Sequence, residues 1–274
     1  MILYLVALAP EAEPLIRYYR MEPFGGVFRW YRSEETALVV SGIGKLAAAA
    51  AASYLHGKTG EKSYSVWLNV GIAGHRDRPV GDVLIAHTVT DAATGERFYP
   101  ARLDGPRLDA VEVKTVDRAE TELGSDAAYD MEAYGFCRTA LRFSTSELVQ
   151  SIKIVSDNRE TSARAGWTAV KTRELVEGAS AEIVSAASRF QELSTELDGN
   201  GREREIAALL ASFSERCHFT ASEARKLRRL LLRWRALDPE AAGAVEELPD
   251  ATGASEILRR LESKLEALAM ERPL

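Results

Sequence analysis

The sequence predicts an α/β protein with a mixed, largely parallel sheet flanked by helices, followed by an all-helical C-terminal extension. Three observations predict it. Short apolar runs alternate with helical patterns across the first part of the chain. Turn chemistry gathers at Leu197-Asp198-Gly199-Asn200-Gly201. From Arg202 onward only helix signals remain. The expected domains are therefore residues 1–197 and a helical extension over 202–274.

Each element has its own justification. Leu3 to Ala9 is apolar throughout, as a strand buried on both faces requires. Glu11 to Arg20 reads as a helix with Pro14 in its first turn. Val27–Ser33 and Thr36–Ser41 form a hairpin pair. Gly42-Ile43-Gly44-Lys45 opens a helix whose six consecutive alanines, Ala47 to Ala52, suit close packing on a sheet; Gly57 is its expected end. Val66 to Val70 is a strand running into Gly71-Ile72-Ala73-Gly74, and Gly81-Asp82 turns into the strand Val83–Val89. Asp130 to Phe143 is expected as helix, Ile152 to Val155 as strand, and Trp167 to Leu193 as one long helix. In the extension, Thr220-Ala221-Ser222-Glu223 has capping-box spacing. The helix it starts carries Leu227, Leu230, Leu231, Trp234 and Leu237 on one stripe.

Composition narrows the function classes. Hydrophobic residues are 46% of 274 and charged residues 28%, which supports a real core and excludes wholesale disorder. Two cysteines, Cys137 and Cys217, make no disulfide framework, so a reduced, cytoplasmic setting is expected. No apolar run approaches the ~20 residues that cross a bilayer, and Met1 to Leu8 reads as a strand rather than a signal peptide. No membrane partner is expected. A net charge of −6 argues against a whole-surface nucleic-acid binder. The four histidines are scattered, so no metal is expected. No dinucleotide fingerprint, phosphate loop or nucleophile elbow occurs, so no cofactor is expected.

Chemistry-bearing residues gather where strands end. They are Ala9-Pro10-Glu11-Ala12-Glu13, the turn Gly71-Ile72-Ala73-Gly74, Asp130-Met131-Glu132-Ala133, and Lys153-Ile154-Val155-Ser156-Asp157. Ligands bind at the carboxyl ends of strands in open α/β sheets. Three carboxylates and a glycine turn meeting there suit a small polar substrate. Locally, Ser156-Asp157 also reads as a helix N-cap, and Glu13 as first-turn dipole complementation.

With Val40-Ser41-Gly42-Ile43-Gly44-Lys45 and Val80-Gly81-Asp82-Val83 added, these motifs and their order resemble the nucleoside phosphorylase and nucleosidase superfamily. The resemblance covers Met1 to about Leu193. It implies a three-layer phosphorylase/hydrolase-like fold and cleavage of the N-glycosidic bond of a purine-type nucleoside. It implies Asp157 as the acid that protonates the base, Glu13 as the base that activates water, and Glu132 as the carboxylate gripping the ribose diol. Met131 would pack on the sugar. Gly71, Ile72, Ala73 and Ser156 would line the site, Lys153 would stand where the family has arginine, and Phe98 or Tyr99 would stack on the purine. Ile72 cannot hydrogen-bond a phosphate oxygen, and only Arg17, Arg76 and Arg78 offer themselves near the turns, so hydrolysis is expected over phosphorolysis. The interval from Gly74 to Met131 is shorter than is usual in that family. The alternatives are a phosphate-dependent phosphorylase, or a catalytically degenerate member whose basic tail binds nucleic acid or a partner. The resemblance also implies a homo-oligomer, with a dimer favoured.

Arg225-Lys226-Leu227-Arg228-Arg229-Leu230-Leu231-Leu232-Arg233-Trp234-Arg235 holds six basic residues and no acid. The plain reading is a solvated face on an amphipathic helix. The sharper reading, which the sequence does not favour, is phosphate contact through Arg225, Arg228, Arg229 and Arg233.

Overall fold

The computed structural model describes residues 1–60, 64–103, 108–120, 123–161, 168–198, 202–237 and 253–271. The chain divides into two compact units, Met1–Leu197 and Asp198–Leu274. Among the described residues no helix is long and apolar enough to cross a membrane.

The first unit runs β1 (Ile2–Val6), α1 (Ala9–Tyr19), β2 (Glu22–Phe24), β3 (Arg29–Arg32), β4 (Thr36–Val40), α2 (Lys45–Thr59), β5 (Val66–His75), β6 (Val83–Asp91), β7 (Arg97–Phe98), β8 (Asp109–Thr115), β9 (Ala127–Asp130), α3 (Ala133–Ala140), β10 (Val149–Asp157), α4 (Ala169–Gly178) and α5 (Ser180–Leu197). The sheet is mixed and closed rather than largely parallel. Five pairings are parallel (β1–β4, β1–β5, β5–β10, β6–β8, β8–β9). Five are antiparallel (β6–β10, β2–β3, β3–β4, β5–β9, β6–β7). The ring β5–β10–β6–β8–β9–β5 closes, and β1, β4, β3 and β2 continue outward from β5. The apolar runs identified strands but carried no information on their direction. The interval between Gly74 and Met131 supplies β6 to β9 and so completes the ring.

Strand β1 is buried at every residue because both faces of the sheet are covered. Leu3 and Leu5 face one core with Ala48, Ala51, Ala52 and Leu55 of α2 and Phe136 of α3. Ile2, Tyr4 and Val6 face the other, with Leu15 of α1, Val176 of α4 and Ile183 of α5. The alanines let α2 lie close to the sheet, as their small side chains imply. Helix α2 also crosses α3 closely: a Cβ at Gly135 would collide with the Lys45 carbonyl oxygen. Gly57 does not end α2, which continues to Thr59 with Gly60 at its C-cap in positive φ.

Two expected helices differ. Ala127–Asp130 is a strand, held by β5 and β8, and α3 begins only at Ala133. The last helical stretch breaks at Ala179 into α4 and α5, and Trp167 lies outside the described residues.

The second unit contains α6 (Arg202–Arg216), α7 (Ala221–Leu237) and α8 (Ala254–Glu271). Leu227, Leu230, Leu231 and Trp234 of α7 bury against Phe213 of α6 and Ile257 and Leu261 of α8. The capping box forms: Thr220 N donates to Glu223 Oε2 (2.9 Å) and Glu223 N donates to Thr220 Oγ1 (3.3 Å).

Candidate active site

Strand β5 positions the site because it changes partner along one edge. Residues Val66–Asn69 pair with β1, and Gly74–His75 pair with β9, while β10 covers the other edge along Trp67–Gly74. Between the two partners the ladder is interrupted, and a buried backbone N–H there needs another acceptor. Glu11 supplies it: Ile72 N donates to Glu11 Oε1 (3.1 Å). The other oxygen, Oε2, accepts from Ala7 N (2.9 Å) and Leu8 N (2.8 Å), so Glu11 also satisfies the start of α1. Glu11 is 1% exposed. Burial pushes its pKa up, against the three backbone donors and the Lys153 ammonium, which pull it down. Gly71 has no side chain because Glu11 fills that space; a Cβ would lie 3.1 Å from Oε1.

Glu13 does not reach this place. Its side chain is 49% exposed and pairs with Arg173 at 3.1 Å on the outer surface. Two residues apart on a helix lie about 200° apart around the axis, so Glu11 and Glu13 cannot share a face. The signal was present: Glu11 precedes buried Leu15 by four residues, and Glu13 precedes exposed Arg17 by four.

The end of β9 supplies the second group. Asp130 Oδ2 accepts from Ala133 N (2.8 Å) and Glu132 N (3.2 Å), capping α3. Its Oδ1 accepts from Thr115 Oγ1 (2.7 Å), and Lys153 Nζ lies 2.7 Å from Oδ2. These contacts fix the turn that presents Met131 and Glu132. Glu132 Oε1 accepts from Gly44 N (2.8 Å), where φ of +107° suits only glycine. Burial, then the neighbouring Asp130 charge, push the Glu132 pKa up to about 7.

The third group ends β10. A register shift between Val155 and Asp157 brings Asp157 opposite Gly74; such bulges re-aim side chains. Ser156 Oγ donates to Asp157 Oδ1 (2.5 Å). A Cβ on Gly74 would lie 3.0 Å from Asp157 Oδ2, so this glycine leaves room for the carboxylate.

A cavity of about 750 Å³ unites these groups. Glu11, Ile72, Ala73, Gly74, Met131, Glu132, Ser156 and Asp157 line it, with Leu8, Pro10, Ile43 and Val116 supplying apolar wall and Thr168 and Thr172 further polar atoms. That volume suits a small organic ligand. Among the described residues, the lining holds no lysine, arginine or histidine.

Several expected contacts lie elsewhere. Lys153 is 1% exposed and sits beneath the cavity, its Nζ donating to Asn69 Oδ1 (2.7 Å) and paired with Asp130. Phe98 is buried in the core beside Val89, and Tyr99 is 64% exposed away from the cavity wall. Gly71 lies under Glu11 rather than on the wall. Arg17, Arg76 and Arg78 pair on the surface with Glu177, Asp77 and Asp109. Just past the glycine turn, and not itself an expected contact, His75 Nδ1 accepts from Asp77 N and Arg78 N (3.2 and 3.3 Å).

No protein-family model matches the sequence, and no curated protein matches it. Solved structures do match. A 5′-methylthioadenosine/S-adenosylhomocysteine nucleosidase from Neisseria meningitidis, in complex with methylthio-immucillin-A, superposes with a TM-score of 0.53 at 19% identity, covering 71% of this chain and 98% of that one. The corresponding enzyme of Colwellia psychrerythraea, in complex with adenine, gives 0.52 at 18%, covering 69% and 91%. A futalosine hydrolase mutant of Helicobacter pylori gives 0.51 at 12%, covering 68% and 97%. The sheet, its covering helices and these likenesses together show that the chain has the fold of these nucleosidase structures.

Proposed function

We propose that the chain hydrolyses the N-glycosidic bond of a purine-type nucleoside. The observation that carries this reading is the convergence of Glu11, Glu132 and Asp157 on one cavity of about 750 Å³. The matched nucleosidases support it at the level of reaction class. In this reading the C1′–N bond breaks with its electron pair leaving on the base. Asp157 gives a proton to the departing ring, and Ser156 Oγ, by donating to Oδ1, holds its carboxyl in place. Water bonds to C1′ from the opposite side and yields its proton to Glu11. That carboxylate has about four acceptor sites and spends three on backbone donors. Glu132 keeps one oxygen free of Gly44 to accept from the ribose diol. The division into one acid and one base parallels inverting glycoside hydrolysis.

Water is favoured over phosphate as the nucleophile because the described lining carries five carboxylates (Glu11, Glu120, Asp130, Glu132, Asp157) and no cation. The test is release of free base from methylthioadenosine, adenosine, inosine and futalosine, with and without phosphate. Phosphate-independent release is expected. Asp157→Asn and Glu11→Gln should each lose at least about 100-fold in kcat, the usual contribution of general acid–base groups. Glu13→Gln should stay near wild type. Inactivity on every substrate, or equal losses in Glu11→Gln and Glu13→Gln, would overturn the assignment.

A further inference from the structure

The second unit carries a feature that the cavity chemistry does not use. Helix α7 has six basic residues and a single acid, Glu223. That acid is committed to the capping box, where Thr220 N and Thr220 Oγ1 both donate to it. Lys226 is neutralised by Glu262 at 2.9 Å. Arg225, Arg229 and Arg233 are exposed and fall at intervals of four, so they form one row along the helix. Successive members are about 6 Å apart along the axis. Arg225 Nε donates to the Ala221 carbonyl (3.1 Å). Arg229 and Arg233 make no hydrogen bond or ion pair among the described residues.

Like charges at this spacing repel and weaken a helix, so the row has no local structural purpose. The opposite face is already spent on the bundle core through Leu227, Leu230, Leu231 and Trp234. The helix therefore has no free apolar face with which to enter a bilayer. Nor does the row contain the aromatic or aliphatic anchor that protein interfaces centre on. A polar, strongly positive strip of guanidinium groups matches the surfaces that contact nucleic-acid backbones, where arginine pairs with phosphate oxygens bidentately.

We propose that Arg225, Arg229 and Arg233 form a contact surface for the phosphate backbone of nucleic acid, without reading sequence. The proposal is independent of the cavity. The test is fluorescence anisotropy of the full chain with a labelled DNA duplex of about 30 base pairs across a salt series. Three phosphate contacts give a slope of log affinity against log salt of about −2.7, so affinity falls about 40-fold between 50 and 200 mM salt. The triple variant Arg225→Gln, Arg229→Gln, Arg233→Gln should lose that slope and most of the binding. Glutamine propagates a helix about as well as arginine, so unchanged far-UV circular dichroism separates lost contact from lost folding. Arg259→Gln, on α8, should bind as wild type. No anisotropy change at about 100 µM protein in low salt would overturn the proposal, since that concentration reaches the weak end of non-specific binding. So would equal affinity in the triple variant. Preference for phosphatidylserine vesicles or for polyglutamate over DNA would assign the row to a membrane or to an acidic protein, and would overturn it equally.

Discussion

Replacing Glu132 with glutamine should stabilise the protein at high pH and leave it nearly unchanged at low pH. The pKa of this carboxyl rises from 4.5 to about 7 on folding, mainly through burial and then through the Asp130 charge. An acid that binds its proton more tightly when folded contributes stability that is complete below about pH 4.5 and is lost as pH climbs through about 7. The difference corresponds to about 3 kcal/mol. Part of that is shared with Asp130 and Lys153, so roughly half is the realistic share for one substitution. Glutamine removes the charge and keeps a carbonyl to accept from Gly44 N. For a unit of this size about 1.5 kcal/mol corresponds to about 3–6 °C in Tm. Calorimetry of the full chain should show that gain at about pH 8.5 and little difference at about pH 5. A variant less stable at high pH, or a difference that does not change with pH, would refute the electrostatic account. The same charge serves the proposed grip on the ribose, so the more stable variant should bind nucleoside poorly. Wild-type kcat/KM should decline as pH falls below about 7, where Glu132 takes up its proton.

Gly74→Ala would bring a Cβ to 3.0 Å from Asp157 Oδ2 and 3.1 Å from Leu123 Cδ2. The carboxylate must shift by a few tenths of an ångström, so kcat should fall by roughly 3- to 10-fold, given about 100-fold for 1 Å; steady-state kinetics and Tm together show whether placement or folding suffered. Lys153→Met would leave Asp130 buried without its cation and should cost about 3–5 kcal/mol in urea unfolding. Gly135→Ala would drive a Cβ into the Lys45 carbonyl, and the α2–α3 crossing should lose about 1–3 kcal/mol in the same assay.

The layers of the fold were legible because β1 is apolar without alternation, which only a sheet covered on both faces produces. The alanine run announced a helix close to that sheet, and Thr220 with Glu223 announced the start of α7. Strand direction and closure were not legible, because pairing of β9 with β5 joins residues more than fifty positions apart and leaves no local pattern. For the same reason the sequence alone reads Asp130 as helical, although it ends β9. Its strand is four residues long and exists through its neighbours. Of the Ala9–Glu13 motif, the cavity takes Glu11 and not the expected Glu13. The choice depended on helix phase, which Leu15 and Arg17 would have fixed. Phe98 and Tyr99 show the converse: an aromatic near a turn signals burial or exposure equally well, and here it gives one of each.

The electrostatics of the cavity bear on its chemistry more than any single side chain does. Its described lining brings five carboxylates together, and the buried Lys153, which is not part of that lining, pairs with Asp130. Burying carboxylates costs stability: burial raises the pKa of Glu11, and burial followed by the Asp130 charge raises that of Glu132. Three of the five have a local reason to stay: Glu11 fills the gap in the β5 ladder, Asp130 caps α3, and Glu132 meets Gly44. Such a site repels phosphate and other anions at close range. It stabilises positive charge that develops within it, and glycosidic cleavage places that charge on the ribose. Under the proposed reaction, this field favours water over phosphate as the nucleophile. Replacing wall residue Ile72 with lysine puts this to the test. A cation there should admit phosphate as a competitive inhibitor, and wild type should show no inhibition by phosphate. Inhibition of the wild type would mean that the cavity's charge does not govern its choice of nucleophile.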